Sequence, residues 1–157
     1  MFEFSEMRAL ANRLEQFVNG TEMDAFMREC LLDLAKKLWR KTKNKTPFNT
    51  GLLRNTWHLG TITKSGDMYE IELYNDTEYA EFVENGFKAH WVPGRWEGHQ
   101  FVYDKNERKS GMFVGKPGTY VEGKFMLKLS EQELEREMER FLQRKQEQFL
   151  REMLGGD

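Results

Sequence analysis

A proline and a glycine four residues apart dictate the course of the chain where its longest basic helix runs out. In Thr46-Pro47-Phe48-Asn49-Thr50-Gly51-Leu52-Leu53-Arg54-Asn55, Pro47 fixes its own φ and biases Thr46 out of the α region, so the helix before it has to end. Gly51 supplies the positive-φ freedom that a sharp re-entry needs. Leu52 and Leu53 are then expected to enter a core, with the planar fork of Arg54 left for a carboxylate. The segment reads as a rigid elbow from helix to sheet, built from Thr46, Pro47, Thr50, Gly51, Leu53 and Arg54.

Hydrophobic periodicity places the elements on either side. Met7, Leu10, Ala11, Leu14, Phe17 and Val18 recur at helical spacing, which predicts a first helix within residues 1–20, ended by Asn19-Gly20. Thr21 and Asp24 resemble a capping box for a second helix over 21–45, with Met23, Phe26, Met27, Cys30, Leu31, Leu34, Ala35 and Leu38 on one face. Beyond the elbow, runs at 56–64 and 68–74 flank Ser65-Gly66-Asp67, and the second alternates Tyr69, Ile71 and Leu73 against polar neighbours. That is a hairpin with one wet face. Thr77 is expected to cap a short helix stopped by Gly86. Ser130-Glu131-Gln132-Glu133 reads as a capping box opening a last helix over 130–154, with Leu134, Met138, Phe141, Leu142, Phe149, Leu150 and Met153 as its stripe. Lys145 interrupts that stripe, so the distal Phe149 and Met153 are expected to face a neighbouring subunit. The expected fold is α+β in a single domain spanning 1–157: N-terminal helices, a small, mostly antiparallel sheet within 56–125, a short helix, and a long C-terminal helix packed over the sheet.

Residues 87–119 are the unusual part. Gly94, Gly98, Gly111, Gly115 and Gly118 punctuate Phe87, Trp91, Trp96, Phe101, Tyr103 and Phe113. A structureless loop of that length is improbable in a compact domain. One or two extra strands plus an excursion around 105–111 are expected. Exposed aromatics beside cations dominate protein interface hot spots, which makes Trp91, Arg95, Trp96, Lys105, Arg108 and Lys109 candidate interface residues; a core-facing role for the two tryptophans is the open alternative. The pattern aromatic-Val-x-Gly-basic-aromatic occurs twice, at 91–96 and 120–125.

Composition narrows the function classes. The chain has 157 residues, room for one core, and 24 basic against 26 acidic side chains give a formal charge of -2, so no global field draws in nucleic acid or an anionic membrane. Cys30 stands alone and lies on an apolar stripe, as a buried hydrophobe does. No apolar run is long enough to span a bilayer, and the acidic first residues differ from a secretory leader, so synthesis and assembly in the cytoplasm are expected. His58, His90 and His99 have no ligand spacing, and no nucleophile, phosphate-loop or dinucleotide motif occurs; neither enzyme activity nor a cofactor is expected. A hydrolase built on His90, Glu97 and His99 is a distant rival. The cluster Lys36, Lys37, Arg40, Lys41, Lys43 and Lys45 complements a helix C-terminus; its second reading is a DNA-facing patch, and with the aromatic-basic stretch it defines the alternative of a nucleic-acid-binding module.

Three segments in register carry a resemblance. Thr46-Pro47-x-x-Thr50-Gly51, then Tyr79-Ala80-Glu81-Phe82-Val83-Glu84-Asn85-Gly86, then Gly123-Lys124-Phe125-Met126-Leu127 together resemble the tail-completion, or head-tail joining, proteins of long-tailed bacteriophages and prophages. Its motif residues here are Tyr79, Ala80, Val83, Glu84, Gly86 and Phe125, besides the elbow. Asn49 stands where a charged residue is usual, and Phe87 where Thr or His is. The resemblance implies a ring, of six copies when assembled and monomeric until docked, that joins the tail tube to neck and head-completion proteins and makes at most weak DNA contact. It also implies that Glu84 packs near the elbow, within reach of Arg54, and that one of the two aromatic-Val-x-Gly segments lies in an insertion. Tail-terminator and minor capsid roles stay open.

Overall fold

The computed structural model describes residues 5–14, 20–48 and 51–153. Among these residues are five helices, in chain order α1 (Ser5–Leu14), α2 (Gly20–Lys45), α3 (Leu52–Asn55), α4 (Ala80–Asn85) and α5 (Met126–Met153). The same described residues hold nine strands: β1 (Trp57–Leu59), β2 (Thr63–Ser65), β3 (Met68–Glu70), β4 (Leu73–Asn75), β5 (Gly86–Lys88), β6 (His90–Glu97), β7 (Gln100–Tyr103), β8 (Gly111–Val114) and β9 (Tyr120–Glu122). The fold is α+β, and the chain divides into two compact units, Met1–Thr77 with Met126–Asp157, and Glu78–Phe125.

The first unit is built on three helices. Leu10 and Leu14 of α1, Cys30, Leu31 and Leu34 of α2, and Leu134, Met138, Phe141 and Phe149 of α5 form one buried cluster. The helical periodicity of all three stripes meets there, so α5 rests on α2 and α1, and not mainly on the sheet. Phe149 is core: its ring lies 4.4 Å from that of Phe26, which corrects its placement at a subunit interface. The reason is Lys145. The break it makes in the stripe is closed by its ammonium reaching Asp33 and Glu29 on α2, so the stripe continues beyond it. Burial disfavours the Lys145 charge, yet the two carboxylates raise its pKa. Cys30 is fully buried and burial pushes its thiol up to about 12, which makes it inert.

A ladder of ion pairs runs beside this core. Lys41 meets Glu137 at 2.8 Å and Glu133 at 3.4 Å, Lys37 meets Glu137 at 3.4 Å, and Lys45 meets Glu133 at 2.9 Å. The four-residue spacing on each antiparallel helix brings opposite charges into line at every turn. Hydrogen bonds from these lysines hold Glu133 and Glu137 below the usual carboxylate range, and those from Arg28 and Tyr69 lower Asp24 to about 2. A depressed carboxylate contributes stability above its unfolded pKa and loses it as pH falls through the folded one. Thermal stability is therefore expected to fall progressively from about pH 4 to about pH 2; a melting temperature flat across that window would show these carboxylates to contribute nothing.

Three predicted caps are not used. The last helix starts four residues before Ser130, whose buried Oγ donates to the Met126 carbonyl from inside the helix. Asp24 binds Arg28, Lys64 and Tyr69 instead of a helix end. Thr77 bonds Asn75, and α4 opens at Tyr79 without a side-chain cap. Such boxes fail because the same residue pattern also suits mid-helix partners or partners remote in sequence. The hairpin fares better: β2 pairs antiparallel with β3 around Gly66, and β1 with β4. Tyr69 and Ile71 turn toward the helical core, as the alternation requires.

The second unit holds α4 and five strands. β5 pairs with β9, and β7-β6-β8 form a three-stranded antiparallel sheet. The segment expected to hold one or two strands is thus mostly sheet, with turns at 98–99 and 104–110. The chain leaves β5 at Lys88 and returns beside it at Tyr120, so residues 89–119 close on themselves. Gly86 ends α4 at φ 79° and ψ 174°, donating to the Phe82 carbonyl. Phe125 precedes α5 with φ 48°, an uncommon conformation for a residue with a Cβ.

Candidate assembly interface

The elbow proves to be a hydrogen-bonded knot on Thr46. Its Oγ1 donates to the Thr42 carbonyl at 2.7 Å and accepts from Trp57 Nε1 at 2.8 Å, while its carbonyl accepts from Arg54 Nη2 at 2.8 Å. Gly51 sits at φ 82°, in the left-handed region, as α3 begins. Pro47 is exposed, and Thr50 lies outside the described residues. Leu53 is buried but Leu52 is exposed, so only one of the two leucines enters the core. Arg54 gives its fork to that backbone carbonyl and its face to Phe48, at 5.2 Å, where a carboxylate was expected. The motif's chemistry is thus structural. Thr46→Val keeps the shape and strands the buried Trp57 N–H, an expected loss of about 1–3 kcal/mol. Thr42 Oγ1 has no hydrogen-bond partner among the described residues, so Thr42→Val is expected to be close to neutral; chemical denaturation of both variants checks the contrast.

The family-type residues of the second unit frame its closure. Lys124 N donates to the Val83 carbonyl and Phe125 N to that of Glu84, at 2.8 and 3.0 Å. Tyr79 is exposed, and Ala80, Val83 and Glu84 are half-buried.

Four of the exposed large aromatics, Trp91, Trp96, Tyr103 and Phe113, lie on the three-stranded sheet. Trp91 pairs across with Phe113, and Trp96 with Phe101, at ring distances of 5.9 and 5.4 Å. The tryptophans are five residues apart on one strand, so they occupy opposite faces. Both stay more than half exposed, at 53% and 59%, with Tyr103 at 61%; the core-facing alternative therefore does not apply. Trp91 lies over Gly111 and Phe101 over Gly94, where added Cβ atoms would meet ring carbons at 2.6 Å. Each ring covers the bare backbone of a neighbouring strand, which pins register. Arg95 is engaged by Glu97 at 3.0 Å and Asp104 at 3.6 Å. Lys105, Arg108 and Lys109 project from the exposed 104–110 turn, and Met153 is exposed at the end of α5.

The basic cluster divides. Lys37, Lys41 and Lys45 belong to the ion-pair ladder, and Lys43 sits over the Trp39 ring at 4.8 Å. Lys36 and Arg40 remain exposed. Sequence reading missed the carboxylate partners because they lie almost a hundred residues away. His90 opens β6 while Glu97 closes it, with His99 in the turn beyond; at roughly 3.3 Å per residue the ends are some 23 Å apart, so the three do not converge. Among the described residues no group of three or more His, Cys, Asp or Glu is placed to hold a metal, and no helix is long and apolar enough to cross a membrane.

A family model described as "Bacteriophage HK97-gp10, putative tail-component" matches residues 8–86, just over half the chain. The match takes in most of α1, all of α2, the elbow with α3, the hairpin and α4, and ends as the aromatic-rich strands begin, leaving α5 outside it. An uncharacterized protein of Bacillus subtilis (strain 168), YqbI, is 33% identical over 54 residues, 29% of this chain and 32% of that protein. The chain therefore aligns with about a third of that relative's length. No solved structure matches. A match over that span, containing the elbow with its Thr46 knot and the Tyr79–Gly86 segment, establishes the family: the chain belongs to the HK97-gp10-like group of bacteriophage tail components.

Proposed function

We propose that this protein is a non-enzymatic tail-completion protein, assembling as a ring at the head-proximal end of a phage or prophage tail and joining the tube to the neck. The observation that carries the reading is the aromatic exposure of the second unit. Trp91, Trp96, Tyr103, Phe113 and Tyr120 are all at least 46% exposed on short strands of one small unit. Concentrated exposed aromatics mark interaction surfaces, and Trp and Tyr beside Arg are the usual energetic anchors. A ring needs a heterologous contact, one patch meeting a different patch on the next copy. Rings of six, production in the bacterial cytoplasm and docking onto tail-tube, neck and head-completion proteins follow from the family resemblance. The 89–119 segment, closed between paired strands beyond the family match, is read as an insertion specific to this chain's assembly.

The test is a Trp91→Ala, Trp96→Ala double variant. Near-native melting with loss of at least tenfold in retention on tail tubes is the expected result, since truncating a hot-spot residue costs about 2 kcal/mol or more. Unchanged retention would remove the sheet from the interface.

A further inference from the structure

We propose that the open groove between α2 and α5 binds the phosphodiester backbone of nucleic acid, through Lys36, Arg40 and Arg144. The groove, of about 540 Å³, is lined by Asp33, Lys36, Lys37, Arg40, Arg144 and Lys145, with Phe141 and Gln148 completing it. At about 30 Å³ per water molecule, it holds a hydrated phosphodiester easily. Lys37 and Lys145 are matched by Glu137, Asp33 and Glu29. Lys36, Arg40 and Arg144 have no carboxylate within ion-pair distance among the described residues, and all three are exposed. Three uncompensated cations thus share one concavity, although the chain as a whole carries -2.

The lining argues for phosphate over a protein partner. Its one aromatic, Phe141, is 5% exposed and lies under the Lys37 and Lys145 ammoniums at 5.4 and 5.8 Å. Protein interfaces centre on accessible apolar anchors and are depleted of charge at their core. Nucleic-acid interfaces are polar and positive, with Lys and Arg neutralising phosphates. Arginine forks suit phosphate oxygens bidentately. Lys36 and Arg40, at i and i+4, lie side by side on α2, and Arg144 faces them from α5. Nothing in the groove reads base edges, so binding is independent of sequence. This site is in the first unit and does not rest on the assembly reading.

Fluorescence anisotropy of the full chain with a labelled DNA duplex, between 50 and 200 mM salt, tests it. Three phosphate contacts give a log–log slope of about -2.7, or roughly 40-fold weaker binding across that range. A Lys36→Gln, Arg40→Gln, Arg144→Gln variant should lose binding while melting normally, and Lys105→Gln, Arg108→Gln, Lys109→Gln should bind as the parent does. If the groove triple variant misfolds, Arg144→Gln alone is expected to reduce the slope to about -1.8. Absence of binding at 50 mM salt, unchanged binding by a folded groove variant, or loss of binding in the 105–109 variant would overturn the proposal. So would polyglutamate displacing the duplex as effectively as unlabelled DNA, which would reassign the groove to an acidic protein segment.

Discussion

Leu34→Ala is expected to destabilise the protein by about 2–5 kcal/mol and lower its melting temperature by roughly 6–15 °C. Leu34 has no exposed surface and lies where the stripes of α1, α2 and α5 meet. Removing three carbons there forfeits their transfer free energy and leaves a cavity that close-packed helices cannot collapse to fill. The neighbouring ion-pair ladder does not compensate, because partly exposed pairs contribute little individually. Leu52→Ala is the internal control. Leu52 is 53% exposed, and its truncation is expected to change stability by under about 0.5 kcal/mol. Equal losses at the two sites would mean that the helical core is not where the structure puts it.

Gly86→Ala is the change expected to undo the second unit. At φ 79° and ψ 174°, Gly86 occupies a region essentially reserved for glycine. A Cβ there would meet the Val121 carbonyl oxygen at 2.5 Å, and the Gly123 nitrogen and Tyr120 hydroxyl at 2.7 Å. Two of those atoms are backbone and cannot swing aside. Gly123 answers from just beyond β9: a Cβ on it would collide with the backbone of Glu84, Asn85 and Gly86. The two glycines let β5 and β9 approach closely enough to close residues 89–119 into their own sheet. Strain of about 1–3 kcal/mol adds to the displacement of that pairing. The expected readout is rapid proteolytic cleavage within 87–119 under conditions where the parent resists. Gly66→Ala, at φ 61° in open space, should cost only about 1–2 kcal/mol and leave that segment protected. Equal resistance of the Gly86 variant would contradict the closure.

Where periodicity and backbone chemistry act locally, the sequence was a reliable guide. The elbow needed only Pro47 and Gly51, and the 56–74 hairpin only its alternation and the turn at Gly66. Among the described residues the three apolar stripes led directly to the core, while Phe17 and Val18 of the first stripe lie outside those residues. What failed depended on partners remote in sequence. Ser130 looked like a cap because its four-residue neighbourhood has the right types, but the helix begins at Met126 once α5 packs on α2. Lys145 looked like the end of a stripe, and Asp33 and Glu29, over a hundred residues earlier, turn it into a bridge. Arg54 looked poised for a carboxylate and is held by the carbonyl of Thr46. The 87–119 stretch hid its strands because Pro93 and several glycines interrupt the alternation, and covering rings such as Trp91 over Gly111 appear only when strands are paired. Of the exposed aromatics, Trp91 and Trp96 were legible from composition and spacing. The groove was found only by half, since Arg144 and Lys145 sit on a helix whose register against α2 no local pattern states.

The most direct test of the account is negative-stain imaging of tail tubes from the encoding phage or prophage, mixed with purified protein at low and high salt. Caps of ring shape at one tube end, persisting in high salt because apolar aromatic contacts hold them, are the predicted result. Bare tube ends at both salts, with the protein retained only on DNA at low salt, would contradict the connector reading and make the basic groove the protein's principal site.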